Sequence, residues 1–156
     1  MYLIGIFSYI DSQESNQLYS GESSLRANTV CLSRKATFCA SFSKPNKLDP
    51  GPGNNYEFEV FIRGKKDPQS GLVINLTEIK KHLSQVIQLV DHKCLDKELP
   101  GFDRVDSSFY DLANFLFVSM SKELSNDSQL DSIIFERAIL RRGDELEVEV
   151  IGQLES

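Results

Sequence analysis

Cysteine is scarce in this chain, and what there is does not pair off. Cys31, Cys39 and Cys94 leave an odd count and no C-x-x-C spacing. A disulfide framework is excluded, and a reducing compartment is the plain expectation. Positive charge is also in short supply. Against 23 Asp and Glu stand 17 Lys and Arg, giving a formal charge of −6. Phosphate affinity is built from clustered Lys and Arg, so no nucleic-acid partner is expected. The pairs Lys65-Lys66, Lys80-Lys81 and Arg141-Arg142 read as solvated faces. No apolar run approaches the ~20 residues of a membrane span, so no membrane partner is expected either. The apolar start, Met1 to Ile10, lacks a positive n-region and alternates like a strand, which argues against a signal peptide. The expectation is a cytoplasmic protein whose 156 residues form one domain, with an extension over 1–28 and a core over 29–151.

What the chain does have is a well-patterned centre, from Gly71 to Asp96. Leu72-Val73-Ile74 reads as a short strand, and Asn75 stands at a helix N-cap position. Leu76, Ile79, Leu83, Val86, Ile87 and Val90 then recur at spacings that gather them on one helical face. At the end of that face come an acid and an imidazole, Asp91-His92, the best chemical lead in the chain. The same pair also suits a helix C-terminus, where the helix dipole is worth roughly 0.3–1 kcal/mol.

Elsewhere the local rules are clear. Asp11 to Asn28 is polar and reads as loop. Thr29 to Phe42 predicts a long strand, with a bulge or solvent-facing break at Arg34-Lys35. Lys44 to Asn55 is loop, dense in proline and glycine. In Tyr56 to Arg63, Tyr56, Phe58, Val60 and Ile62 face one way and the charges mostly the other. Asp106 or Ser107 can cap a helix over Ser108 to Leu124, with apolar surface at Leu112, Phe115, Leu116, Val118 and Met120. Strands at Ser132 to Leu140 and Leu146 to Ile151 are joined by a hairpin at Arg141 to Glu145. The order predicts an α+β fold, a mainly antiparallel sheet with two helices on one face.

Six segments, taken in order, resemble the 6-pyruvoyl tetrahydropterin synthase family, which includes the 6-carboxytetrahydropterin synthases. Phe38-Cys39-Ala40-Ser41 resembles its F-x-A-x-H strand, and Asn55-Tyr56 the N-Y that follows H-G-H. Asp67 to Leu76, DPQSGLVINL, is similar to D-P-x-T-G-M-V-x-(N/D)-(L/F). Val90 to Asp96, VDHKCLD, is similar to L-D-H-K-x-L-(N/D). Val105 to Ser108, followed by Leu112-Ala113, resembles the S-T-x-E-N-x-A helix start, and Ile134-Phe135-Glu136 the terminal V-Y-E. Each match is weak alone, and the ordered series carries the resemblance. It implies the tunnelling fold (T-fold), whose subunits join edge to edge into a β-barrel as trimers, often stacked as hexamers, with ligand pockets between subunits. A homo-oligomer also accounts for sheet edges that would otherwise pair without control.

The resemblance assigns roles residue by residue. Asp91 and His92 take the place of the catalytic pair. Glu136 matches the glutamate that accepts hydrogen bonds from the pterin ring, a task suited to two coplanar acceptor oxygens. Glu136 also reads as a solvent-facing strand acid. Ser108 matches a hydroxyl near the same ring, while Phe109 and Tyr110 replace a threonine and a glutamate beside it. The family's three zinc-binding histidines correspond to Phe42, Pro52 and Asn54. Phe and Pro offer no side-chain lone pair and an amide is a poor zinc ligand, and the chain's two histidines, His82 and His92, cannot supply three imidazoles. His82 reads as an exposed mid-helix residue. The window matching the catalytic cysteine, Asn46 to Asp49, holds none, and Cys39 reads as ordinary strand packing.

No metal and no cofactor are therefore expected. The expected ligand is a pterin or purine-like ring, with the usual synthase activity absent or altered. Two alternatives stand beside this: a metal-independent lyase or aldolase acting on a dihydropterin side chain, and a non-catalytic oligomeric scaffold.

Overall fold

The computed structural model describes residues 29–43, 51–72, 75–102 and 109–152. The strand expected at Met1 to Ile10, the loop at Asp11 to Asn28, most of Leu72-Val73-Ile74, the cap at Asp106 or Ser107, and Ser108 itself lie outside or largely outside these residues. Leu72 is exposed and in no strand.

Two long strands, β1 (Thr29–Ser41) and β2 (Asn54–Lys65), pair antiparallel without a break, from Thr29 opposite Lys65 to Ala40 opposite Asn54. Arg34 and Lys35 sit inside this ladder, opposite Val60 and Glu59, so the bulge expected there does not form. Both side chains point to solvent and need no interruption to do so. Helix α1 (Leu76–Gln88) follows, then the two-residue strand β3 (Lys93–Cys94) and the single-turn helix α2 (Leu95–Glu98). Helix α3 (Phe109–Ser125) and a 3₁₀ turn (Ser128–Leu130) lead into the hairpin of β4 (Ile133–Arg142) and β5 (Leu146–Ile151). The sheet order is β3-β1-β2-β4-β5, antiparallel except where β3 runs parallel to β1. Gly143 turns the hairpin at φ 57°, a conformation open to glycine without a side-chain clash.

The period-2 pattern decides which face is covered. Phe38, Ala40, Tyr56, Phe58, Val60, Ile62, Ala138 and Leu140 are buried against the helices. Helix α1 contributes Ile79, Leu83, Val86 and Ile87, and Val90 follows in the turn. Asn75 caps α1 as expected, its side-chain oxygen accepting from the Thr77 amide at 3.0 Å. Helix α3 buries Leu112, Ala113, Leu116, Met120 and Leu124. Two expected core positions are exposed instead, Leu76 in the first turn of α1 and Val118 on the outer side of α3. The converse error is His82, which is buried at 7 % exposure. It occupies the same helical stripe as Ile79 and Val86, and spacing outweighs polarity there.

One irregularity interrupts β4. Phe61 pairs with Arg137 and Ile62 with Phe135, so Glu136 is an extra residue in β4, a β-bulge. Phe135 packs toward the helices, stacked on Phe117 with ring centroids 4.7 Å apart. Glu136 and Arg137 then both turn to the open face, where Glu136 meets Arg63 and Arg137 lies over the Phe61 ring.

Candidate active site

Asp91 and His92 are held by the backbone of a single β1 residue. The Cys39 amide donates to Asp91 Oδ1 at 2.9 Å, and the His92 amide donates to the Cys39 carbonyl at 2.6 Å. The turn after α1 thereby docks on the sheet edge, and β3 continues the contact by pairing with Ala40 and Ser41. To make this turn His92 adopts φ 58°, a left-handed conformation uncommon outside glycine. Strain of this kind persists only where surrounding bonds enforce it, and it gathers at functional sites.

Asp91 Oδ2 lies 2.9 Å from His92 Nδ1. A carboxylate accepts, so Nδ1 carries the proton and Nε2 of the neutral ring keeps its lone pair. The imidazole side chain is 81 % exposed, leaving that atom open to a ligand. The bond from the Cys39 amide, with help from His92, holds the Asp91 carboxyl below its ordinary value despite partial desolvation. The pair has the arrangement of an oriented general acid–base.

A cleft of about 660 Å³ opens beside it, lined in part by Thr37, Cys39, Asn55, Tyr56 and Arg141. Glu57 and Arg141 on its wall belong to a chain of ions. Glu57 accepts from Lys35 and from Arg141, both at 3.0 Å, and Arg141 also reaches Glu59 at 2.7 Å and Glu147 at 2.6 Å. Burial alone would raise the Glu57 pKa, but Lys35 and Arg141 outweigh it and the carboxyl is lowered. Phe38 and Tyr56, which also line the cleft, form a stack with Phe109 at centroid spacings of 5.0 and 6.0 Å.

Cys39 is in this cleft and not in the core, which corrects the packing role expected from its aromatic neighbours. Phe38 and Ala40 face the helices, so strand parity turns Cys39 the other way, half-buried. Parity was the signal that would have found it. A Cβ on Gly53 would stand 3.0 Å from the Cys39 sulfur, so glycine lets the loop pass close at that point.

Glu136 is elsewhere. It sits beside Arg63 and Cys31, which are paired across β1 and β2 eight residues along from Cys39. At ~3.3 Å per residue that places it about 26 Å from the Asp91-His92 turn. Arg63 bridges Glu136 Oε1, and the Cys31 thiol lies 3.7 Å from Oε2. Burial, and then the neighbouring carboxylate, push the Cys31 thiol up, away from the reactive thiolate. One chain therefore brings Asp91, His92 and Cys39 together and leaves Glu136 apart. Ser108 lies outside the described residues.

Phe42, Pro52 and Asn54, which the resemblance sets at zinc-binding positions, take part in other contacts. The Phe42 ring packs 6.2 Å from that of Phe102, and the Asn54 amide approaches the Pro52 carbonyl at 3.4 Å. The trio offers no imidazole and does not fit a zinc cage.

Comparison with known proteins agrees with the architecture. A 6-pyruvoyl tetrahydrobiopterin synthase from Poecilia reticulata is 47 % identical over 75 residues, 47 % of this chain and 51 % of that one. The Homo sapiens protein of that name is 37 % identical over 84 residues, 53 % of this chain and 57 % of that one. The chain thus spans about half the length of these curated relatives. The structure of Caenorhabditis elegans 6-pyruvoyl tetrahydropterin synthase superimposes with a TM-score of 0.68 at 25 % identity, covering 83 % of this chain and 99 % of that one. The fold is accordingly the T-fold. A family profile described as 6-pyruvoyl tetrahydropterin synthase matches residues 31–139, and the chain belongs to that family.

Proposed function

We propose that this protein binds a pterin or purine-like ring in a site completed between copies of the chain, without the family's zinc and with the usual synthase activity absent or altered. The observation that carries the reading is a split one. The Asp91-His92 pair is built and braced on β1, while Phe42, Pro52 and Asn54, which the resemblance sets at the cage positions, offer no imidazole. Without a Lewis acid, an oriented acid–base pair supplies on the order of 10²–10⁴-fold, short of the same reaction with metal. The gap of about 26 Å along the strand supports a site shared between copies, a neighbouring chain bringing Glu136 to the cleft. Ring binding at Glu136 also requires its carboxylate to leave Arg63 or to share it.

Titration calorimetry with neopterin, biopterin and guanine, in the presence of chelator, tests the reading. Saturable binding by the wild-type chain, weakened tenfold or more by Glu136→Ala, is expected. Binding that requires added zinc, or that is indifferent to Glu136→Ala, would refute it.

The exposed, oriented Nε2 of His92 favours a second reading, a metal-independent lyase or aldolase on a dihydropterin side chain. It predicts turnover of dihydroneopterin in chelator, abolished by His92→Ala. Turnover that appears only with added zinc would sink it.

A further inference from the structure

On the helical side of the sheet, remote from the cleft, His82 is buried among acids. Asp127 Oδ2 lies 3.0 Å from its Nε2. Glu123 Oε2 lies 3.5 Å from Nδ1 without completing a hydrogen bond, and Nδ1 is a buried atom with no hydrogen-bond partner. Glu78 stands one turn earlier on α1, and one donor atom each from Glu78, His82 and Asp127 lie within 4.8 Å of one another. Among the described residues the other buried ionisable side chain, Glu59, is neutralised by Arg141 and Lys35. Around His82 three carboxylates gather, and Lys81, 3.7 Å from Glu78, is the cation paired with them. Negative charge is in excess at a place where one imidazole nitrogen lacks a partner.

We propose that Glu78, His82 and Asp127 form a divalent-cation site that straps α1 to the turn after α3. One imidazole among carboxylates suits a borderline ion such as Zn²⁺ better than Mg²⁺ or Ca²⁺, which prefer oxygen throughout. Asp127 is already set for the task. Its Oδ1 accepts from the Gln129 amide at 3.0 Å, fixing the carboxylate and leaving Oδ2 directed at the ring. Two ligands come from α1 and one from the turn after α3, so an ion here would reinforce a junction that already holds apolar contacts and the His82–Asp127 bond.

The test uses the full chain, stripped with chelator and dialysed, titrated with ZnCl₂ by calorimetry and followed by thermal melting. One equivalent of Zn²⁺ per chain is expected to bind and raise Tm by several degrees. Glu78→Gln, a partly exposed change that leaves the core intact, is expected to keep the metal-free Tm and weaken Zn²⁺ at least tenfold. Asp127→Asn is expected to weaken it similarly, and His92→Ala to leave it unchanged. No saturable uptake, undiminished affinity in Glu78→Gln, or loss of binding in His92→Ala would each overturn the proposal. Pterin binding in chelator is scored separately, so the failure of this site and the failure of the ring site are distinguishable.

Discussion

Asp91 joins two jobs in one side chain: it ties the turn after α1 to β1 and orients His92. Replacement by Asn keeps the shape and loses the charge. An amide can accept one of the two hydrogen bonds well, so Asp91→Asn is expected to cost roughly 1.5–3 kcal/mol, as for bonds to charged groups. Urea unfolding at neutral pH measures it. The pH dependence has a definite sign. The folded pKa of Asp91 lies below the unfolded value of about 3.9. The unfolded chain therefore binds that proton more readily. The stabilisation is complete above the unfolded value and disappears as pH falls through the folded one. Asp91→Asn is expected to show a shallower loss of stability below about pH 4 than wild type. An identical acid profile would mean that the carboxylate is not held as described.

Among the elements, helix α1 was the most legible in the sequence, because its apolar spacing and its Asn75 cap agree. The cap is a clean target, since Asn75 is exposed and bonds only locally. Asn75→Ala should lower stability by about 1 kcal/mol and Asn75→Asp should be nearly neutral, both measurable by urea unfolding. The burial of His82 on the same helix was hidden, because a polar letter within an apolar stripe reads as a break in it. The ion ladder on the open face was hidden for a different reason. Arg141, Glu57, Glu59 and Lys35 are scattered along the chain, and only the pairing of β1, β2 and β4 sets them side by side. Arg141 neutralises Glu59, whose side chain is 8 % exposed. Arg141→Met leaves that carboxylate to Lys35 at 3.8 Å. The expected cost is near the lower end of ~3–5 kcal/mol, with Glu59→Leu in the same chain restoring part of it.

For the whole molecule, the sheet is open, with β3 and β5 as its edges. Fold class was readable because alternation and turn residues repeat over many positions, and an ordered series of segments matched one family. The layout of the site was not. Asp91 and Glu136 are each recognisable by their neighbours in sequence, yet their separation depends on strand register, which no short segment encodes. The same openness bears on assembly. Ile151 is exposed on edge strand β5, where a second copy would pair. If copies join there, light scattering should give a trimer or hexamer for the wild type and a smaller species for Ile151→Lys. A wild-type monomer would remove the shared site.

The extra residue in β4 has a consequence for the gene as well as for the protein. Excise codon 136 and Arg137 would follow Phe135 in regular register with β2, at the loss of the Gly152 amide bond to the Glu136 carbonyl and of the Arg63 pair. The inserted residue interrupts the regular ladder and in return sets a carboxylate on the open face beside Arg63.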